Sequence, residues 1–144
     1  FGNILAVTVN DVLLISALTL VILFLTYILY KEFLIMSFDP VYGEAIGLPV
    51  KSLRLLLLGM VAFSVVVLIK IVGIIMVIAL LTIPGAISRQ HLKELPAIMA
   101  GSVVLGAIFV TVGLLVSYLL DVPSGATIIL TAAAFFFLST MYSR

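Results

Sequence analysis

Ser37-Phe38-Asp39-Pro40-Val41-Tyr42-Gly43-Glu44-Ala45-Ile46-Gly47-Leu48-Pro49 is the only long polar interruption in a chain of 144 residues that otherwise reads as lipid-soluble helix. The stretch carries its own punctuation. Asp39 suits an N-cap, because its carboxylate accepts from the free N–H groups of the next turn. Pro40 fits the first helical position, where no N–H is needed. Gly47 suits the left-handed residue that closes a helix, and Pro49 forbids continuation. These signals predict a helix of about two turns over residues 40–46, too short to hold in water unless something packs on it. Two readings stand side by side: a structured loop between membrane spans, or a docking element for a partner on the aqueous side.

Composition sets the class. Hydrophobic residues make up 65% of the chain and charged residues 9%, with a mean hydropathy of +1.51. A soluble domain runs near a quarter charged, so water-facing surface cannot cover this chain and it reads as an integral membrane protein. The net charge of +1, with no basic patch, excludes a nucleic-acid partner. Cysteine is absent, which excludes disulfides and thiolate metal sites. The start, Phe1-Gly2-Asn3, has neither Met nor a basic n-region and is not a signal peptide; further spans are expected upstream.

Outward from the opening stretch, the apolar segments resolve into five spans in an all-α bundle. Residues 12–30 form the first, with Asp11 capping one end and Tyr27, Tyr30 and Lys31 marking the interface at the other. Ser16, Thr19 and Thr26 fall within about 80° on a helical wheel, a stripe suited to helix packing or to a polar path. Arg54 and Arg89 enclose an apolar run over 55–88. As one helix it would measure about 51 Å, too long for one crossing, while two full crossings need about 40 residues. The break is placed at Lys70-Ile71-Val72-Gly73, giving short spans over 54–69 and 73–88, one of them tilted or locally unwound. Lys70 either snorkels to the headgroups or lines a vestibule. Thr82-Ile83-Pro84-Gly85 is expected to bend or end the second of these spans.

Pro96 opens the next span, which runs to about Leu120. Its Ser102, Gly106, Gly113 and Ser117 lie within about 60° of one another, a smooth groove for close backbone approach. Asp121-Val122-Pro123-Ser124-Gly125 is a turn with Ser124 as N-cap, and the last span covers 125–142. If the 37–49 stretch is cytoplasmic, six of the seven basic residues lie inside and only Lys70 lies outside. That is a strong positive-inside signal, with the N-terminus of the chain outside and the C-terminus inside.

Catalytic chemistry is sparse. There is no G-x-x-x-x-G-K-S/T, so the chain binds no nucleotide by that motif. No carboxylate pair, H-x-x-x-H or C-x-x-C lies in a span. The single His, His91, sits in a charged loop with Arg89, Lys93 and Glu94, where an ordinary solvated role competes with metal ligation. An enzyme is not expected, and no cofactor.

Four segments in order carry a resemblance. Phe1-Gly2-Asn3-Ile4-Leu5-Ala6-Val7 resembles an outer segment before a middle span, and Phe38–Val50 a cytoplasmic coupling segment. Val72–Ala86 is similar to a VGxxLVxALLxxPAA pattern, and Asp121–Ala126 to an outer D-x-P-S/T-G-A turn. Together they resemble the membrane permease subunit of ATP-binding-cassette importers for zinc, manganese or iron, over nearly the whole chain and roughly the second half of such a permease. Vitamin B12 and siderophore permeases share the fold more distantly.

The resemblance implies a vitamin-B12-permease-like helical bundle in the cytoplasmic membrane, homodimeric or pseudo-symmetric, with a translocation path at the subunit interface. It also implies two separate ATPase subunits below, an extracytoplasmic metal-binding protein above, and a divalent ion that passes unchanged. Asp39, Pro40, Tyr42, Gly43, Glu44, Ala45 and Gly47 then become the ATPase-coupling candidates, with Gly43, Ala45 and Gly47 allowing close contact and Glu44 pairing with a basic residue. Asp121 and His91 are the metal candidates within the chain. Gly43 stands where the family usually has Ala, and Gly85-Ala86-Ile87-Ser88 replaces Ala-Ala-Thr-Ala; both read as harmless exchanges of small residues. A structural membrane protein without a path, or a permease for a metal chelate, are the alternatives.

Overall fold

A computed structural model describes residues 6–142. Phe1–Leu5 of the outer segment and Arg144 fall outside the described residues. Among the described residues seven helices follow one another: α1 Val9–Ile28, α2 Tyr30–Phe38, α3 Pro40–Ala45, α4 Val50–Val72, α5 Ile74–His91, α6 Leu95–Leu120 and α7 Ser124–Tyr142. All but α2 and α3 are long and apolar enough to cross a membrane. The expected five-span, all-helical class holds. In hydrocarbon, helices are the local solution that pairs every backbone N–H and C=O within one segment. The chain divides into two compact units after Val67.

In the first unit, α1 starts three residues before the expected position. Thr8 is the N-cap and Asp11 completes a capping box: the Asp11 N–H donates to Thr8 Oγ1 at 3.3 Å, and the Thr8 N–H donates to Asp11 Oδ2 at 3.1 Å. The hydroxyls of Ser16 and Thr19 donate to their own helix, to the carbonyls of Leu13 and Ile15. No residue of α1 is buried. An open apolar groove of about 620 Å³ between α1 and α4 is lined by Leu18, Ile22, Gly59 and Phe63, among others.

Helix α2 was not foreseen: Lys31 reads as the end of a span, yet the chain stays helical to Phe38. The knee falls at Leu29, with φ −95° and ψ 18°. Phe33 and Met36, three apart on one face, are buried with Val50 and Leu53 of α4, flanked by Leu29, Leu48, Leu57 and Met60. The signal missed was this i, i+3 pair behind two charged residues.

Helices α4 and α5 correct the account of the 55–88 run. Neither is unwound, and both run longer than expected, because each continues past the apolar stretch into its charged ends. The 23 residues of α4 begin at Val50 and take in Lys51 and Arg54, and the 18 of α5 end with Arg89 and His91. That gives about 35 Å and 27 Å of rod. The predicted break does fall at Gly73, whose φ of 87° and ψ of 156° lie where only glycine is comfortable. Lys70 is exposed in the last turn of α4, the end at which the helix dipole favours a cation. Pro84 does not end α5. It is buried within the helix, which runs on to His91.

In the second unit α5, α6 and α7 pack on one another around Ile87, Phe109 and Ala132, with Ile83, Leu105 and Phe136 against them. Two glycines set the spacing. A Cβ on Gly113 would lie 2.6 Å from Ile128 Cα, so α6 and α7 meet backbone to backbone there. A Cβ on Gly101 would lie 3.1 Å from Ser88 Oγ on α5. The small-residue groove predicted on α6 is thus engaged at Gly113, while Gly101, off that stripe, makes a second close approach. Asp121 closes α6 in the left-handed region at φ 52°, which Asp tolerates. The Ser117 hydroxyl donates to the Val122 carbonyl at 2.6 Å across the same turn. Helix α7 begins at Ser124 itself, so that residue is not the N-cap; the Pro123 carbonyl accepts the first bond, from the Thr127 N–H at 3.2 Å.

Replacing Gly113 with Ala forces the α6 and α7 backbones apart and is expected to cost about 1–3 kcal/mol. Gly59→Ala, where an added Cβ meets nothing within 4 Å, serves as the neutral control. Melting of the full-length protein in detergent reads both, and equal melting temperatures would contradict the packing described.

Candidate functional site

The site is built around α3. Asp39 stands at the junction of two helices. Its N–H donates to the Ile35 carbonyl at 2.8 Å, closing α2, and its Oδ1 accepts from the Tyr42 N–H at 2.9 Å, opening α3. Pro40 takes a first-turn position. At the other end the Gly47 N–H donates to the Glu44 carbonyl at 3.1 Å and the Leu48 N–H to the Gly43 carbonyl at 2.9 Å. Gly47 itself has φ 85°. This pair of bonds around a left-handed glycine is the Schellman closure. The helix ends one residue earlier than expected, with Ile46 as its C-cap.

Capping alone does not hold six residues helical. The fold supplies a seat. Gly43 is buried, and a Cβ there would lie 3.2 Å from Val50 Cγ2 and 3.3 Å from Ile35 Cγ2. Its inward face thus rests on α2 and on the start of α4, over the core of Phe33, Met36, Val50 and Leu53. The outward face is apolar and uncovered: Val41 is 77% exposed, Tyr42 55% and Ile46 50%, beside Phe38 at 74%. Glu44 and Ala45 are exposed as well. Glu44 also borders a small open cleft with Lys51 and Ser52.

The seven coupling candidates therefore form one structural unit with divided labour. Asp39, Pro40 and Gly47 shape it; Tyr42, Glu44 and Ala45 lie on its open side; Gly43 faces inward and offers no surface to a partner. A methyl at 43 would ask two β-branched neighbours, Val50 and Ile35, to give by a few tenths of an ångström.

The two metal candidates are not brought together. Asp121 is an exposed turn residue at the C-terminal end of α6, and His91 lies just before the N-terminal end of that helix. The 26 residues of α6 span about 39 Å. Among the described residues no group of three or more His, Cys, Asp or Glu is placed to hold a metal ion. His91 is instead a tether. The Ser139 hydroxyl donates to Gln90 Oε1 at 2.8 Å, so His91 Nε2, 2.9 Å from Ser139 Oγ, donates to it. Gln90 Nε2 reaches Thr140 Oγ1 at 3.4 Å. These bonds join the ends of α5 and α7. Gln90, Ser139 and Thr140 escaped the sequence reading because partners about fifty positions apart leave no local pattern.

The fold and site define a helical membrane bundle with a short, seated, outward-apolar helix between two of its rods. Residues 1–143 match the ABC 3 transport family, and the chain belongs to that family. It is 45% identical over its whole length to an uncharacterized membrane protein of Synechocystis sp., covering 51% of that protein. It is 35% identical over 143 residues, 99% of this chain and 51% of the other, to the manganese transport system membrane protein MntC of Listeria monocytogenes. Among solved structures it is similar to PsaBC from Streptococcus pneumoniae in complex with Fab. The TM-score is 0.89 and the identity 35%, over 96% of this chain and 50% of that one. The chain spans about half the length of the curated relatives it matches. The expected resemblance holds at the level of the family, and five helices of this chain are long and apolar enough to cross a membrane.

Ser139→Ala removes the centre of the α5–α7 tether and is expected to cost about 1 kcal/mol. The loss should appear as a lowered melting temperature, and His91→Ala in the Ser139→Ala background should add little further. Additive losses would mean that His91 acts elsewhere.

Proposed function

We propose that this chain is the C-terminal half of the permease of an ATP-binding-cassette importer that moves a divalent transition-metal ion across the cytoplasmic membrane. The observation that carries the proposal is α3: capped at both ends, seated on its own small core, and presenting Val41, Tyr42 and Ile46 outward. A separate ATPase subunit docks on that face. Nucleotide-driven closure of the ATPase pair moves α3, and the spans that follow alternate access to the path. The chemistry asked of this chain is mechanical, and ATP is hydrolysed by the partner.

The positive-inside bias puts α3 on the cytosolic side, with the N-terminus of this chain outside and its C-terminus inside. The assembly pairs two permease subunits and receives its ion from an extracytoplasmic metal-binding protein. Manganese is the first ion to test, because the named relative from Listeria monocytogenes is a manganese transport protein; zinc and iron follow.

Val41→Asp places a charge on the exposed face without touching the seat. It is expected to reduce both co-purification of the ATPase and uptake of radioactive manganese by roughly 30-fold or more, the effect of losing an interface hot spot. Wild-type co-purification and uptake in that variant would end the docking proposal. Uptake of zinc or iron but not manganese in cells carrying the wild-type protein would correct the ion. Gly47 is a poor test position, since its φ of 85° strains any side chain placed there.

A further inference from the structure

Gly43 is the only residue of α3 that is buried. Its φ is not among the positive values, so the backbone does not require glycine. On helix propensity alone, Ala would be the better residue by about 1 kcal/mol. What calls for a small residue is the space around it. The nearest atoms to an added Cβ are Val50 Cγ2 at 3.2 Å, Ile35 Cγ2 at 3.3 Å and Leu48 Cδ1 at 3.8 Å. Ile35 is on α2, and Val50, the first residue of α4, is only 3% exposed. Gly43 is also bonded at both ends of its peptide units: its N–H donates to the Asp39 carbonyl at 3.0 Å and its carbonyl accepts from Leu48.

We propose that Gly43 is the positioning residue through which a load on the outer face of α3 reaches α2 and α4 together. The inference rests on the docking reading of α3 and deepens it: the outer residues hold the ATPase, and the missing side chain at 43 makes the held helix rigid with both flanking helices. The space beside Gly43 is too narrow to take even a methyl without a shift of Val50 and Ile35 by a few tenths of an ångström, and closely packed interfaces pass on displacement instead of absorbing it. A bulky residue at 43 lifts α3 off its seat. The outer face stays available, but movement of α3 no longer moves α2 and α4 in step.

The test uses the complete importer reconstituted in liposomes with its ATPase, comparing co-purification, ATP hydrolysis and manganese uptake. Gly43→Val is expected to keep ATPase co-purification within about twofold of wild type while uptake per ATP hydrolysed falls about tenfold, the scale of an overpacked contact. Gly43→Ala, whose single methyl asks neighbours to yield only a few tenths of an ångström, is expected to lose less. Val50→Ala removes the methyl nearest the new Cβ, so it should restore part of the coupling in either variant, a non-additivity that a general loss of stability would not show. Loss of co-purification in Gly43→Val, unchanged uptake per ATP in both Gly43 variants, or absence of rescue by Val50→Ala each overturns the proposal. Failure of the docking reading itself shows separately, as Val41→Asp leaving co-purification intact.

Discussion

The structure depends first on pairing backbone groups in a chain with almost no polar side chains to spare. Helices satisfy the interior of each segment, so the difficult places are the ends. Each of three boundaries is closed by groups a few residues away: Thr8 with Asp11, Asp39 with Tyr42, and Ser117 with Val122. Hydroxyls inside the rods follow the same economy. Ser64, Thr82, Ser102 and Thr111 each donate to a carbonyl four residues earlier on their own helix. That arrangement leaves the rods self-contained and their outer faces free for lipid or for other helices.

With hydrogen bonds satisfied locally, packing between helices falls to shape. In lipid the surroundings are as apolar as the side chains, so close approach matters more than burial of area. Gly113 lets α6 and α7 meet at Ile128, and Gly101 lets α6 approach Ser88. Gly43 does the same on a smaller scale for α3. Among the described residues, buried side chains are correspondingly few; one cluster gathers around Phe33 and Val50 and another around Phe109 and Ala132. The first group is the foundation under α3. A six-residue helix stays formed because one face rests on it while the other stays open.

Much of this was legible in the sequence, for physical reasons that can be named. The Asp39-Pro40 start, the Gly47 stop and the break at Gly73 are local properties, and the structure places each of them within a residue or two. Helix α2 was hidden because Lys31 and Glu32 resemble the close of a span, and only the packing of Phe33 and Met36 against α4 keeps the chain helical. Charged residues read as boundaries in a sequence, yet α4 and α5 both carry charges in their end turns and so run beyond the apolar stretch. His91 reads as a solvated loop residue until Ser139, on another helix, is seen beside it.

By itself the sequence determined the class, an all-helical membrane protein, together with its family resemblance and the existence of a capped helix at 40–46, because these follow from composition and from contacts within one turn. The tertiary structure decided which side of that helix faces in, that the glycine at 43 is a seat and not a contact surface, and that His91 lies beside Ser139. Those facts depend on which segments distant along the chain come to lie side by side, and no local pattern of residues encodes that.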